Sequence, residues 1–300
     1  MRRGRGSRAA ARSVAVAAAG AGLAAACGGP PPSRFPDAES ALGRLRATAE
    51  CSRGVRAEAK IDYIGERGRV RGTVHYLAAS PESLRFDVVS PFGATVVRLA
   101  SDGERFTLLD ALQKTFLHGR ASACNVARFT QLPVPPFALV QLLRGDAPVL
   151  VHAPASASLE WDAGAYAVRI PSRHAATEHL RLVPHPEDWE KPWAEQRVRL
   201  LRVQVDQAGV EAYHVELADH SPVETAAAIV DEEGLEPDVP PSGPACRAEV
   251  PRSLRFVVPW KERDLVLKAT EIEHNPPLLP GTFRERRPGG VRAVEAVCTD

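Results

Sequence analysis

At 300 residues, 44% hydrophobic and 25% charged, the chain is long and apolar enough to bury a sizeable core, which excludes a wholly disordered polypeptide. Lysine and arginine number 38 against 37 acidic residues, and removal of residues 1–26 takes away five arginines and no acid, leaving 33 basic against 37 acidic side chains. That balance offers no electrostatic footprint for a nucleic-acid partner.

Arg2, Arg3, Arg5, Arg8 and Arg12 precede an apolar run from Ser13 to Ala26, and Cys27 follows directly. A basic stretch, a short apolar run and small residues before the cut describe an export signal over 1–26, and the run is too short and too rich in Ala and Gly to span a membrane. Leu23-Ala-Ala-Ala-Cys27-Gly28 resembles the bacterial lipobox, which implies a diacylated Cys27 as the mature N-terminus. Two or three acyl chains, at about 0.8 kcal/mol per buried methylene, anchor a domain durably. The absence of Asp at position 28 favours the periplasmic face of the outer membrane over the inner. Residues 27–36, with Pro30, Pro31, Pro32 and Pro36, read as a stiff lipidated tether, and 37–300 as a single domain.

A helix is expected from Pro36 to Glu50, where Ala38, Leu42, Leu45 and Ala49 fall on one face. From Gly54 the period changes to two. Val70, Val74 and Tyr76 alternate with Arg71, Thr73 and His75, and Leu84, Phe86 and Val88 alternate with Arg85 and Asp87. Turn signals at Glu66–Gly68 and Ala79–Glu82 separate these runs, and 94–101, 105–110 and 115–118 continue an antiparallel meander. Short helices are expected at 123–130 and 137–144, the second carrying Phe137 and Val140 behind Pro135-Pro136. Alternation returns at 165–171, 198–205, 212–217, 254–258 and 265–272. Pro- and charge-rich stretches at 184–192 and 231–244 read as surface loop insertions, and Arg284–Arg287 as a solvated strand end. The fold class is mostly β: a strongly curved antiparallel sheet, an incomplete half-open barrel, with short helices covering its concave face.

Besides Cys27, the cysteines are Cys51, Cys124, Cys246 and Cys298, an even number in an exported chain, where disulfides form readily. Three pairings are open. Cys51 with Cys124 and Cys246 with Cys298 is favoured here, because each pair closes a self-contained part of the chain. No two have zinc-ligand spacing, His174 with His179 and His214 with His220 lack the spacing of a shared face with a carboxylate, and no serine elbow, phosphate loop or dinucleotide fingerprint occurs. No catalytic residue, metal or cofactor is therefore assigned, and the acidic run Asp231–Asp238 reads as a solvated loop.

The stretches Leu84-Arg-Phe-Asp-Val-Val-Ser-Pro-Phe-Gly-Ala-Thr-Val-Val-Arg-Leu99, Ala100-Ser-Asp-Gly103 and Gln131-Leu-Pro-Val-Pro-Pro-Phe-Ala-Leu-Val-Gln-Leu-Leu-Arg-Gly145 resemble the LolB-like outer-membrane lipoprotein receptors and the wider lipoprotein-sorting group. The resemblance covers about residues 54–147, a third of the chain. It implies a half-barrel whose concave face accepts acyl chains, with Val74, Tyr76, Leu84, Phe86, Val88, Val97, Leu99, Phe106, Leu108, Phe137 and Val140 as lining candidates. Sequence leaves open whether these residues enclose a cavity or fill a core. Phe92, between Pro91 and Gly93, matches the exposed apolar residue with which the receptors reach the bilayer. The implied partners are membrane lipid through acylated Cys27, and lipoprotein clients or their periplasmic carrier. The implied function is insertion of other lipoproteins into the membrane by hydrophobic transfer, without covalent chemistry. A non-catalytic envelope scaffold with a packed core is the alternative, and a hydrolase with a hidden site a weaker one.

Overall fold

The computed structural model describes residues 29–298 apart from 67, 131 and 154, so the signal segment and Cys27 lie outside the described residues. Helix α1 spans Ala38–Ala49. Its N-cap Asp37 accepts a hydrogen bond from the Ser40 amide at 2.8 Å, and Glu39 in the first turn and Arg46 in the last complement the helix dipole. Leu42 and Leu45 are fully buried, as their spacing requires.

Six strands follow: β1 Gly54–Gly65, β2 Gly68–Ala79, β3 Ser83–Val89, β4 Thr95–Ser101, β5 Arg105–Asp110 and β6 Thr115–Arg120. Helices α2 (Ala123–Thr130) and α3 (Pro136–Leu143) interrupt them. Then come β7 Ser158–Asp162, β8 Ala165–Pro171, β9 Ala176–Pro184, β10 Val198–Gln207, β11 Val210–Glu224, β12 Arg247–Val258, β13 Arg263–His274 and β14 Arg292–Glu295. All fourteen form one curved, unclosed sheet in the order β14-β6-β5-β4-β3-β2-β1-β13-β12-β11-β10-β9-β8-β7.

The register explains which face is apolar. Val74 lies opposite Val88, Tyr76 opposite Phe86 and Ala78 opposite Leu84, while Phe86 faces Leu99 and Leu99 faces Leu108 across the next two ladders. With a side-chain period of two, every one of these points to the concave side. Helix α3 packs there against β2 and β3, burying Leu139, Val140, Leu142 and Leu143. It opens with Pro136, whose missing amide costs nothing in the first turn, and stops at Gly145. Gly145 has φ +83, and a Cβ there would sit 2.8 Å from the Pro251 ring, so both the turn and the close approach need glycine.

Several expectations are corrected. The disulfides are Cys51–Cys246 and Cys124–Cys298, not the sequence-local pairs. The reason lies in the sheet order: β1 pairs with β13, so the two halves of the chain share one sheet and one core rather than forming separate parts. Strand β14 pairs with β6 in parallel, an exception to the antiparallel pattern. Strands β7, β9 and β14 are additional to those expected. The loop expected at 184–192 lies between β9 and β10 and is pinned from within, because fully buried Asp188 accepts from Arg197 at 2.7 Å and pairs with Lys191 at 2.7 Å. Arg284–Arg287 is not a strand end either. Glu285 pairs with Arg98 at 3.2 Å and Arg284 with Asp102 at 3.0 Å, so this segment runs across the convex side of β3 and β4.

Candidate functional site

The concave face is not filled along its whole length. Between β1, β2, β3, β12 and β13 on one side and the α2–α3 region on the other lies a cavity of about 510 Å³. Its walls include Ile61, Tyr63, Val74, Phe86, Val88, Leu132, Leu139, Phe256, Leu265 and Leu267. Val70, Pro91 and Leu112, each beside a hairpin turn, also line it, which places its mouth at the hairpin edge of the sheet. Gly72 leaves a wall of β2 bare. A Cβ there would meet only the Ile61 methyl, at an ordinary 3.7 Å.

Electrostatically the cavity is inert. Among the described residues that line it, Arg71 alone carries a charge, and its guanidinium is turned to solvent beside Asp62, 3.2 Å away. Asp62 also pairs with Arg69, and these two arginines hold its carboxyl well below the usual range, at about 2. Among the described residues that line it, no nucleophile stands beside a base. The volume falls in the range, roughly 300–1,000 Å³, of pockets that enclose small apolar ligands.

Of the eleven lining candidates, Val74, Phe86 and Val88 reach this cavity. Tyr76, Leu84, Leu99, Phe106 and Val140 are instead buried in the packed core. Tyr76 is packed so tightly that burial pushes its phenol far up. Val97 and Leu108 share the concave face but stand outside the cavity, half-buried. Phe137 is corrected outright: it is 41% exposed, because it sits on the outer side of α3 when Leu139 and Val140 face inward. The wall residues that sequence reading missed include Ile61 and Tyr63 on β1, Phe256, Leu265 and Leu267 on β12–β13, Leu139 on α3 and Leu132 before it. The alternation Ile61, Tyr63 and Leu265, Leu267 was visible, but only the ladder between β1 and β13 brings these pairs side by side.

The turn from β3 to β4 is closed by three hydrogen bonds. The Ser90 amide donates to Ala94 O at 2.8 Å, the Ala94 amide to Ser90 Oγ at 3.2 Å and the Gly93 amide to Ser90 O at 3.0 Å. Gly93 supplies the positive φ this loop needs, and Phe92 projects from the apex 96% exposed.

Elsewhere, Cys51, Cys246 and His274 lie within 4.8 Å of one another, but the two sulfurs are bonded to each other and offer no thiolate. His179 pairs with Asp206 and His214 with Glu211, half-buried His220 is driven down to about 4 by desolvation, and none of these histidines joins a metal-ligand cluster among the described residues.

A curved, mostly antiparallel unclosed sheet, helices over its concave face and an apolar cavity opening at the hairpin edge define the class by fold, with no assembled catalytic constellation among the described residues. No family model matches the chain, and no curated protein matches it. Solved structures do. A DUF1329 family protein from Desulfovibrio piger is similar at a TM-score of 0.51 and 9% identity, over 82% of this chain and 95% of that one. An outer membrane lipoprotein-sorting protein domain from Vibrio parahaemolyticus aligns at 0.48 and 9% identity, over 82% and 95%. A LolA superfamily protein from Nitrosomonas europaea aligns at 0.47 and 10% identity, over 82% and 97%. At these identities the likeness is one of fold.

Proposed function

We propose that this chain is a lipid-anchored protein of the bacterial cell envelope that takes an acyl chain of a client lipoprotein into the 510 Å³ cavity and assists its transfer to the membrane, without covalent chemistry. The observation that carries this reading is the cavity itself: apolar, free of interior charge and open at the edge from which Phe92 projects. Each methylene buried there contributes about 0.8 kcal/mol, enough to hold an acyl chain yet release it to a bilayer that offers the same. Two disulfides fit an oxidising compartment outside the cytoplasm, in line with acylation at Cys27 and placement on the periplasmic face of the outer membrane. Pro91, Phe92 and Gly93 would then be the element that enters the bilayer, and the clients would arrive directly or on a periplasmic carrier.

The test uses Gly72→Leu. Its backbone is ordinary and its Cβ meets no clash, so the variant fills the cavity while the fold stays intact. Binding of a fluorescent fatty acid to the Cys27→Ala protein is expected to fall about tenfold or more with Gly72→Leu, at unchanged thermal stability. Equal binding by the two proteins would remove the cavity as the acyl site. A parent protein that binds no fatty acid and carries no co-purified lipid would favour the packed scaffold.

A further inference from the structure

Strand topology places six hairpin turns, 65–68, 90–94, 111–114, 172–175, 207–210 and 259–262, along one edge of the sheet. Large apolar side chains stand in water within four of them, Phe92 (96% exposed), Leu112 (76%), Val210 (58%) and Trp260 (55%), and two residues beyond a fifth, Val70 (57%). Trp260 is the only one of the four tryptophans so exposed. The others, Trp161, Trp189 and Trp193, belong to an aromatic cluster with Phe35 and Tyr166 toward the opposite edge. The indole N–H of Trp260 donates to Ala212 O at 3.0 Å, which fixes the ring at the tip of β12–β13, and Lys261 Nζ lies 4.4 Å from its centroid.

We infer that this edge is a membrane-docking rim for an anionic bilayer, with Trp260 and Lys261 as its anchor on the flank of the cavity away from Phe92. The inference rests on the acyl-transfer reading only for its purpose, since a rim pressed to lipid would put the cavity mouth against the bilayer. Three features favour lipid over a protein partner. From β6 to β10 the tips run along nine strand spacings, roughly 40 Å. Over that length the apolar groups are separate points with polar residues between them, which suits a plane touching a curved edge and not a contiguous protein patch. An indole held by its N–H with an ammonium stacked on it is the pairing favoured at a membrane surface, aromatic in the interface and cation at the headgroups. The tips are also weakly basic: Glu66 is taken up by Arg263 at 3.3 Å, which among the described residues of these turns leaves Lys114, Arg173 and Lys261 against Glu262, and the sequence adds Arg67.

The experiment uses the full chain bearing Cys27→Ala, which has no acyl anchor, with vesicles of phosphatidylcholine alone or with about one-third phosphatidylglycerol. Binding to the anionic vesicles is expected to exceed binding to the neutral ones. Lys261→Glu should weaken it by about fivefold or more, and Trp260→Ala by about tenfold. Brominated lipid should quench the parent protein and spare Trp260→Phe, in which only the distant cluster fluoresces. Circular dichroism checks that each variant folds. Absence of binding to either vesicle would overturn the inference and leave the edge for a protein partner, as would unchanged binding by folded Trp260→Ala or quenching that persists in Trp260→Phe. Gly72→Leu should bind vesicles normally, so loss of fatty-acid binding with intact docking separates failure of the cavity reading from failure of this one.

Discussion

Glu178 offers a sharp test of how the core is built. It occupies an inward position of β9 beside Leu180 and Leu182, with no surface exposure. One carboxylate oxygen accepts from the Leu150 amide at 2.9 Å, and the other has no hydrogen-bond partner among the described residues. Burial pushes this carboxyl up from its ordinary 4.5 to about 7, with the Leu150 amide and the neighbouring His152 opposing the rise. Because the folded state holds the proton more tightly, the group's stabilising contribution is fully present below about pH 4.5. It is lost as pH rises through about 7, a change of about 3 kcal/mol. Glu178→Gln removes the titration while keeping an acceptor for Leu150. Urea unfolding of both proteins from pH 4 to 8 should show the variant gaining about 3 kcal/mol relative to the parent across that interval. A stability difference that stays flat over the same range would refute the assignment of a buried, charge-resisting carboxyl.

Phe92→Glu should leave stability within about 0.5 kcal/mol, because the ring touches little in the folded protein, yet abolish lipoprotein transfer in a reconstituted assay. Non-reducing peptide mapping should recover Cys51–Cys246 and Cys124–Cys298, and Cys51→Ala with Cys246→Ala should cost ~2–4 kcal/mol in denaturant unfolding. Cys27→Ala should move the protein from the membrane to the soluble fraction without changing its circular dichroism. Retention through high-salt and carbonate washing would contradict the acylated anchor.

The meander β2–β6 and helices α1 and α3 were legible because each carries its own period: Leu42 with Leu45 on one helix face, Leu84, Phe86 and Val88 on one strand face. Strand β9 was hidden by Glu178, a carboxyl at an inward position that breaks the apolar alternation. Strand β7 is five residues long and β14 four, too short for a period to register, and β14 exists only through its ladder with β6. Phe92 could be found because an aromatic in a Pro-x-Gly turn is locally anomalous. The cavity could not be found in the same way. Tyr76 and Phe86 face each other across the same ladder, yet one fills the core and the other lines a void, a difference set by where α3 lands. Trp260 reads as an ordinary turn residue until the sheet order puts its hairpin on the same edge as Phe92.

The two disulfides overlap in the chain, one closing residues 51–246 and the other 124–298. A peptide bond cut anywhere between 125 and 245 therefore lies inside both rings, and the two products remain joined by two covalent links. The acidic stretch Asp231–Asp238, exposed from 232 to 238 and therefore open to a protease, falls within that interval. Cleavage there severs the backbone without releasing a fragment, and β1 stays tied across the cut to the segment leading into β12. The nicked protein would run as one species on a non-reducing gel and as two after reduction. The sheet would keep its covalent continuity through a break in its backbone.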